Sequence, residues 1–353
     1  MAGRVTGRIA RLSLAWLCAI AIGLVTGEVA TRLTGAIDGV SIIPRRLLTG
    51  TDDPLLPYRL RPGASLTFQG VPLRVNRFGL RGAEIARDPG RDARRILVLG
   101  DSVAYGWALA EADTFPVLLG EALRGLGLDA EVLNAAVPGY NTESALAFLR
   151  HTGLSLAPDA LVLGVSLNDF DETPSLSPLG LLLAGEARAD DSWISAHSEF
   201  YFLLRWAAPG LLERWWQSRT GFEAASERDE QLREFLRRQA IASRRRFYAA
   251  PSGPAWQRIR NSLEELRELA AGSGLELAIV IFPEADQLGS PESELDPQRH
   301  WKALCGQLEL RCLDLWSAFA RAAGREALFE DLQHPNALGM RVAASASAEF
   351  LTR

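Results

Sequence analysis

The sequence predicts an α/β domain built on a parallel sheet covered by helices on both faces. Two observations predict it. From residue 95 onward, five short apolar runs alternate with stretches of helical period. The runs are continuous rather than alternating, which marks strands buried on both faces, as a parallel sheet between helix layers requires. Two segments break this pattern: an apolar stretch near the N-terminus and a long interval over 171–255.

At the N-terminus Arg4, Arg8 and Arg11 precede an uncharged run from Leu12 to Gly27 that ends at Glu28. Sixteen residues reach about 24 Å, short of the ~30 Å hydrocarbon core. Snorkelling of Arg11 and Glu28 extends a feasible membrane span to residues 9–30. The expectation is an uncleaved transmembrane anchor within residues 1–35. A cleaved signal peptide with the same run as its h-region, and a buried core helix, are the alternatives. Arginines precede the run more densely than they follow it, so the N-terminus stays inside and the remainder faces the periplasm or the cell exterior.

Residues 36–94 form a Pro-, Gly- and Arg-rich preamble with β-like pieces at 65–70 and 72–82. The catalytic-type segment spans 95–353. Its first strand, Ile96 to Leu99, ends at Gly100. Strands at 131–134, 160–165, 275–282 and 310–314 follow, with helices at 114–126, 142–154, 256–271, 294–308 and 336–352. The interval 171–255 is too long for a loop without structure of its own and reads as a mostly helical insertion. Its tryptophan-rich part, 198–216, is either ordinary core or a lid or interfacial surface that touches a bilayer.

Composition excludes several classes. A net charge of −5 gives no basic surface for nucleic acid. An apolar fraction of 48% is too high for disorder. Three cysteines exclude a disulfide-stapled miniprotein and a four-cysteine zinc site, and no metal or cofactor is expected. Cys305 and Cys312 either pair in an oxidising compartment or leave Cys305 as a small helix-core residue.

In an open parallel sheet, ligands bind beyond the carboxyl ends of the strands. Four stations lie there. Gly100-Asp101-Ser102 follows the first strand, and Pro138-Gly139-Tyr140-Asn141 follows the second. Ser166-Leu167-Asn168-Asp169 follows the third, and Asp331-Leu332-Gln333-His334-Pro335 precedes the last helix. Serine needs a base to become a nucleophile at neutral pH, and His334 can be that base. Asp331, three residues earlier, can hold the imidazole in the required tautomer. The backbone N–H groups of Ser102 and Gly139 and the side-chain amide of Asn168 would form an oxyanion hole. Taken alone, Asp331 and His334 would equally suit a cap of the final helix, and Asn168-Asp169 a turn. His151, His197 and His300 show no carboxylate or Cys at useful spacing and read as surface or core residues.

These four blocks, in this order, resemble the SGNH (GDSL-like) hydrolase family, and the resemblance covers about 95–353. It implies a three-layer α/β/α sandwich of flavodoxin-like type around about five parallel strands. It also implies a Ser102–His334–Asp331 triad and an oxyanion hole from Ser102, Gly139 and Asn168. The stretch Asn76 to Gly82 is similar to the preamble of membrane-tethered bacterial members. Ser166 stands where the family has Gly, adding a side chain beside the hole, and Ala104 where a Thr often follows the nucleophile. The expected activity is hydrolysis of carboxylic esters, O-acyl and foremost O-acetyl, through an acyl-enzyme. The expected partners are an ester or acylated glycan and the membrane, not nucleic acid. The same residues would serve an O-acyltransferase on an envelope polysaccharide, or survive in a noncatalytic carbohydrate-binding or scaffold protein.

Overall fold

The computed structural model describes residues 16, 18–31, 47–68, 70–87, 94–167, 247–248, 252–289, 295–322, 324 and 327–353. Residues 46–188 and 230–353 group as one unit, and residues 1–45 and 189–229 as another. Within the second of these, the described residues form a single helix, α1, over 18–31.

In the larger unit the apolar runs are strands, as their continuity requires. Arg94–Gly100 (β5), Ala130–Asn134 (β6), Ala160–Val165 (β7), Glu276–Ile281 (β8) and Arg311–Asp314 (β9) form one parallel sheet in the order β6-β5-β7-β8-β9. Every residue of β7 is buried, and six of the seven in β5 are. The edge strand β9 is only half buried. The chain enters the sheet at its second position, β5, moves one place outward to β6, then crosses back over β5 to β7. Right-handed crossovers then place the helix after β5 on one face and the helices before β7, β8 and β9 on the other.

The helices obey that rule. Phe115–Gly125 (α3) and Ala337–Leu351 (α8) pack together on one face, with Trp316–Arg321 (α7) against α8. Thr142–His151 (α4) and Pro254–Gly272 (α5) pack together on the other, and Asp296–Gln307 (α6) lies beside α5. The result is the three-layer α/β/α arrangement, with a four-residue helix, Ser102–Tyr105 (α2), at the carboxyl end of β5.

The preamble is built of two antiparallel hairpins. Leu48–Gly50 (β1) pairs with Tyr58–Leu60 (β2), and Ser65–Phe68 (β3) pairs with Val71–Arg74 (β4). Their apolar side chains, Leu48, Tyr58, Leu60, Phe68 and Leu73, are buried. Arg95, fully buried at the start of β5, ties the preamble's end to the sheet. It donates to the carbonyls of Ala86, Arg87 and Leu156 and pairs with Glu131 at 2.7 Å.

Cys305 in α6 and Cys312 in β9 form a disulfide with Cα atoms 6.2 Å apart. Cys305 is also buried, so both readings of this residue hold at once. Closing so short a loop removes chain entropy worth about 2–3 kcal/mol. Reduction, or Cys312→Ser, is therefore expected to lower the free energy of unfolding, read from a urea denaturation curve, by that amount. An unchanged free energy would show that the crosslink contributes nothing.

The expected membrane span at 9–30 is not shown. Among the described residues no helix is long and apolar enough to cross a membrane. The described length of α1 reaches only about 21 Å, and residues 9–15 and 17 lie outside the described residues. Most of the insertion at 171–255, including 198–216 and His197, also lies outside them.

Candidate active site

The turn that carries Ser102 follows from small residues at three places. Gly100 ends β5 with φ of +146°, where an L side chain is strained. A Cβ on Gly100 would stand 2.5 Å from the Gly164 carbonyl oxygen and 2.8 Å from the Ala104 Cβ. The chain can therefore turn sharply from strand into α2 only because 100 and 164 are glycines and 104 is alanine. This gives Ala104 a packing reason where a Thr was the commoner expectation.

Asp101 caps α2, its Oδ1 accepting the Val103 N–H at 2.9 Å. Its Oδ2 accepts the Ser166 hydroxyl at 2.5 Å. The side chain at 166 is thus engaged by Asp101, which is what Ser supplies in place of Gly. Burial pushes the Asp101 carboxyl up, opposed by these hydrogen bonds and by the charge of His334.

Ser102 is the first residue of α2, where helix amides have no intrahelical acceptor. Its Oγ lies 2.9 Å from His334 Nε2. His334 Nδ1 lies 2.8 Å from Asp331 Oδ2. A carboxylate only accepts, so Nδ1 carries the proton and Nε2 is left with the lone pair that receives the serine hydroxyl. Asp331 Oδ1 also accepts the N–H groups of Gln333 and His334, both at 2.8 Å. Burial alone would raise the Asp331 carboxyl. The His334 hydrogen bond and charge, with the two backbone bonds, outweigh it and hold the group below its ordinary value. Its stabilising ionised form is therefore complete above pH ~4 and is lost only as pH falls through that lowered value.

The loop carrying Asp331 and His334 is locked on both sides. Phe329 bridges to Pro335, Glu330 N–H donates to His334 O at 2.9 Å, and Ala285 N–H donates to Leu332 O at 2.9 Å. Neither Asp331 nor His334 caps the final helix. Asn336 does, accepting from Leu338 and Gly339. Pro335 sits one residue before that cap, not at the first helical position. Gly339 fits against the same loop: a Cβ there would stand 2.3 Å from Leu328 O and 2.8 Å from the Pro335 Cβ. Helix propensity alone makes Gly339→Ala stabilising by about 1 kcal/mol. The clash reverses the sign: the variant is expected to melt lower and to lose at least about tenfold in kcat, since small misplacements of catalytic groups cost that much or more. A variant that melts higher and keeps its kcat would contradict this packing.

Beyond β6 the ladder continues, with Ala135 N–H donating to Val98 O and Val137 N–H to Gly100 O. This carries Pro138 and Gly139 to the strand end that bears Ser102. Gly139 adopts φ of +81°, the left-handed turn that glycine enters without strain. Asn168, the third expected donor, lies outside the described residues. The structure therefore brings Ser102, His334 and Asp331 together, carries Gly139 to the same end of the sheet, and does not describe Asn168. Among the described residues no cluster of His, Cys, Asp and Glu could hold a metal ion.

Several site neighbours escaped the sequence reading. Trp107 lies against the His334 ring, centroids 6.0 Å apart, and Phe68 of the preamble packs edge-on against Trp107 at 5.4 Å. Arg81, also from the preamble, is buried and donates to the carbonyls of Tyr105 and Gly106 at 3.0 and 2.7 Å and to that of Leu109. Tyr105 ends α2, Gly106 is its C-cap, and Leu109 lies three residues further on. The sequence signals were its place in the Asn76–Gly82 stretch and a segment rich in arginine, and neither points to this role. His151 does find a carboxylate, Asp53 at 2.6 Å, but across 98 residues and at the surface.

A three-layer α/β/α sheet with a serine–histidine–aspartate chain at its carboxyl edge defines the fold and site of a hydrolase class. The model of the GDSL-like Lipase/Acylhydrolase family matches residues 98–342, more than half of the chain, and the chain belongs to that family. A protein named arylesterase from Vibrio mimicus is 32% identical over 77 residues, 22% of this chain and 38% of that protein. The alignment thus spans well under half of that relative. Among solved structures, TesA is similar at 15% identity with a TM-score of 0.43, covering 73% of this chain and 98% of its own. The lipase/acylhydrolase of Enterococcus faecalis is similar at 14% identity with a TM-score of 0.40, covering 72% and 94%.

Proposed function

We propose that this chain hydrolyses carboxylic esters, O-acyl and foremost O-acetyl, by a Ser–His–Asp mechanism with an acyl-enzyme. The observation that carries the reading is the unbroken hydrogen-bonded chain from Asp331 through His334 to Ser102. In this mechanism Ser102 Oγ attacks the acyl carbonyl while its proton moves to His334 Nε2. The carbonyl π pair moves onto oxygen, where the N–H groups of Ser102 and Gly139 receive it, with the Asn168 amide as third donor. Collapse breaks the bond to the alcohol, which leaves with the proton from His334. Water then attacks the acyl-serine by the same steps, releasing the carboxylic acid and restoring Ser102. Asp331 holds the imidazole tautomer and stays ionised throughout.

The proposed setting is the outer face of a membrane. The Cys305–Cys312 disulfide supports an oxidising compartment. The apolar side chains of α1 support an N-terminal anchor, with Ile20, Ile22, Leu24, Val25 and Val29 all at least half exposed. The test is turnover of p-nitrophenyl acetate with and without an oligosaccharide acceptor. Release of free acetate in both supports the hydrolase. Acetyl-oligosaccharide as the main product would assign a transferase instead, and no turnover by folded protein would leave a noncatalytic binding role.

A further inference from the structure

The family match begins at residue 98, so the hairpins at 48–74 lie outside it. Yet a side chain of β2 reaches the turn that carries a proposed oxyanion donor. Tyr58 is fully buried, and its hydroxyl donates to Pro138 O at 3.0 Å. Pro138 C=O and Gly139 N–H belong to one planar peptide group, in which they point in opposite directions. A hydrogen bond that holds the carbonyl on one side therefore aims the N–H on the other. It also polarises the peptide, since hydrogen bonds in a chain strengthen one another.

The phenol is well placed for this task. Burial pushes its pKa up, so it remains a neutral donor at any working pH. Tyr140 grips it from the far side: the Tyr140 hydroxyl donates to Tyr58 O at 2.6 Å, and the two rings lie 5.7 Å apart. The Gly139 turn, free to swing about a glycine with φ of +81°, is thereby pinned at its carbonyl.

We propose that Tyr58 is a positioning residue for the reaction, orienting and polarising the Pro138–Gly139 peptide so that Gly139 N–H meets the oxyanion. The proposal rests on the serine-hydrolase reading above. Removing a direct oxyanion donor costs about 10²- to 10³-fold in kcat, so loss of the group that aims one should cost less, about ten- to thirtyfold.

The test is Tyr58→Phe in the full chain, with p-nitrophenyl acetate as substrate and kcat expressed per serine titrated by a fluorophosphonate. The expected result is a ten- to thirtyfold fall in kcat with KM within about twofold. Ser144→Ala is the control, because it removes another hydroxyl bond between the preamble and the sheet domain, from Ser144 Oγ to Leu55 O at 2.8 Å, that does not touch Pro138 O. It is expected to lower the melting temperature similarly while kcat per serine stays within about twofold. If Tyr58→Phe fails to fold, 3-fluorotyrosine at position 58 keeps the ring and makes the hydroxyl a stronger donor. Its kcat per serine should exceed that of the wild type, and a value at or below wild type would contradict the proposal. An active wild type with an unchanged kcat in Tyr58→Phe overturns this assignment alone. A folded wild type that neither turns over esters nor reacts with the fluorophosphonate overturns the hydrolase reading beneath it.

Discussion

Ser102→Ala is expected to lower kcat for ester hydrolysis by about 10⁴- to 10⁶-fold while leaving the fold intact. The size follows from the group removed: without Oγ there is no acyl-enzyme, and His334 and Asp331 have no proton to move. What remains is any water attack assisted by the oxyanion donors, which retain their positions. The fold should survive because Ser102 Oγ contributes a half-buried contact to His334 and packs no core. Ester kinetics alongside a thermal melt check both halves. A loss of less than about tenfold would mean that another group attacks the carbonyl.

Arg81→Met is expected to weaken both the fold and the activity. The guanidinium serves three carbonyls from one planar fork, and its charge lies 4.4 Å from the Tyr105 ring centroid. Two effects oppose each other. Burial already pushes this guanidinium's pKa down, so exchanging it for an apolar side chain of similar reach recovers some desolvation cost. Against that, Leu109 O loses the donor Arg81 supplies, at about 1–3 kcal/mol, and Gly106 O keeps only the Leu109 N–H at 3.2 Å. Tyr105 O is partly protected, because Asn134 Nδ2 also donates to it at 3.0 Å. The lost donors win, and the net loss should be about 1–3 kcal/mol. Arg81→Lys should rescue little, since an ammonium is a point donor without the fork. Activity should fall beyond the loss of folded protein, because the carbonyls lie within seven residues of Ser102 in the turn that presents it. Urea denaturation and kcat per titrated serine test this. A stability change within 0.5 kcal/mol would show that the clamp is dispensable.

Much of this was legible because it is local. β5, β7 and β8 stand out as unbroken apolar runs since both of their faces are covered, and a strand buried on two sides has no polar position to spare. Ser102, Gly139, Asp331 and His334 could be picked out because each follows a strand or precedes a helix, where an open parallel sheet puts its ligands. The strands β1 and β2 were missed because three residues are too few to show a period. Arg81, Tyr58 and Phe68 were missed for another reason. Their partners lie 24 to 80 residues away, and local pattern carries no trace of such pairings. An arginine in an arginine-rich segment reads as surface, and only the packing of the preamble onto the nucleophile turn makes it core.

The central claim is that Ser102 is the nucleophile of an ester hydrolase. It is tested most directly by labelling the folded chain with a fluorophosphonate and mapping the adduct by peptide mass spectrometry. The predicted result is one adduct per chain, on Ser102, formed at a rate that collapses in His334→Ala. An adduct on another residue that persists in Ser102→Ala, or a folded chain that takes no label, would contradict it.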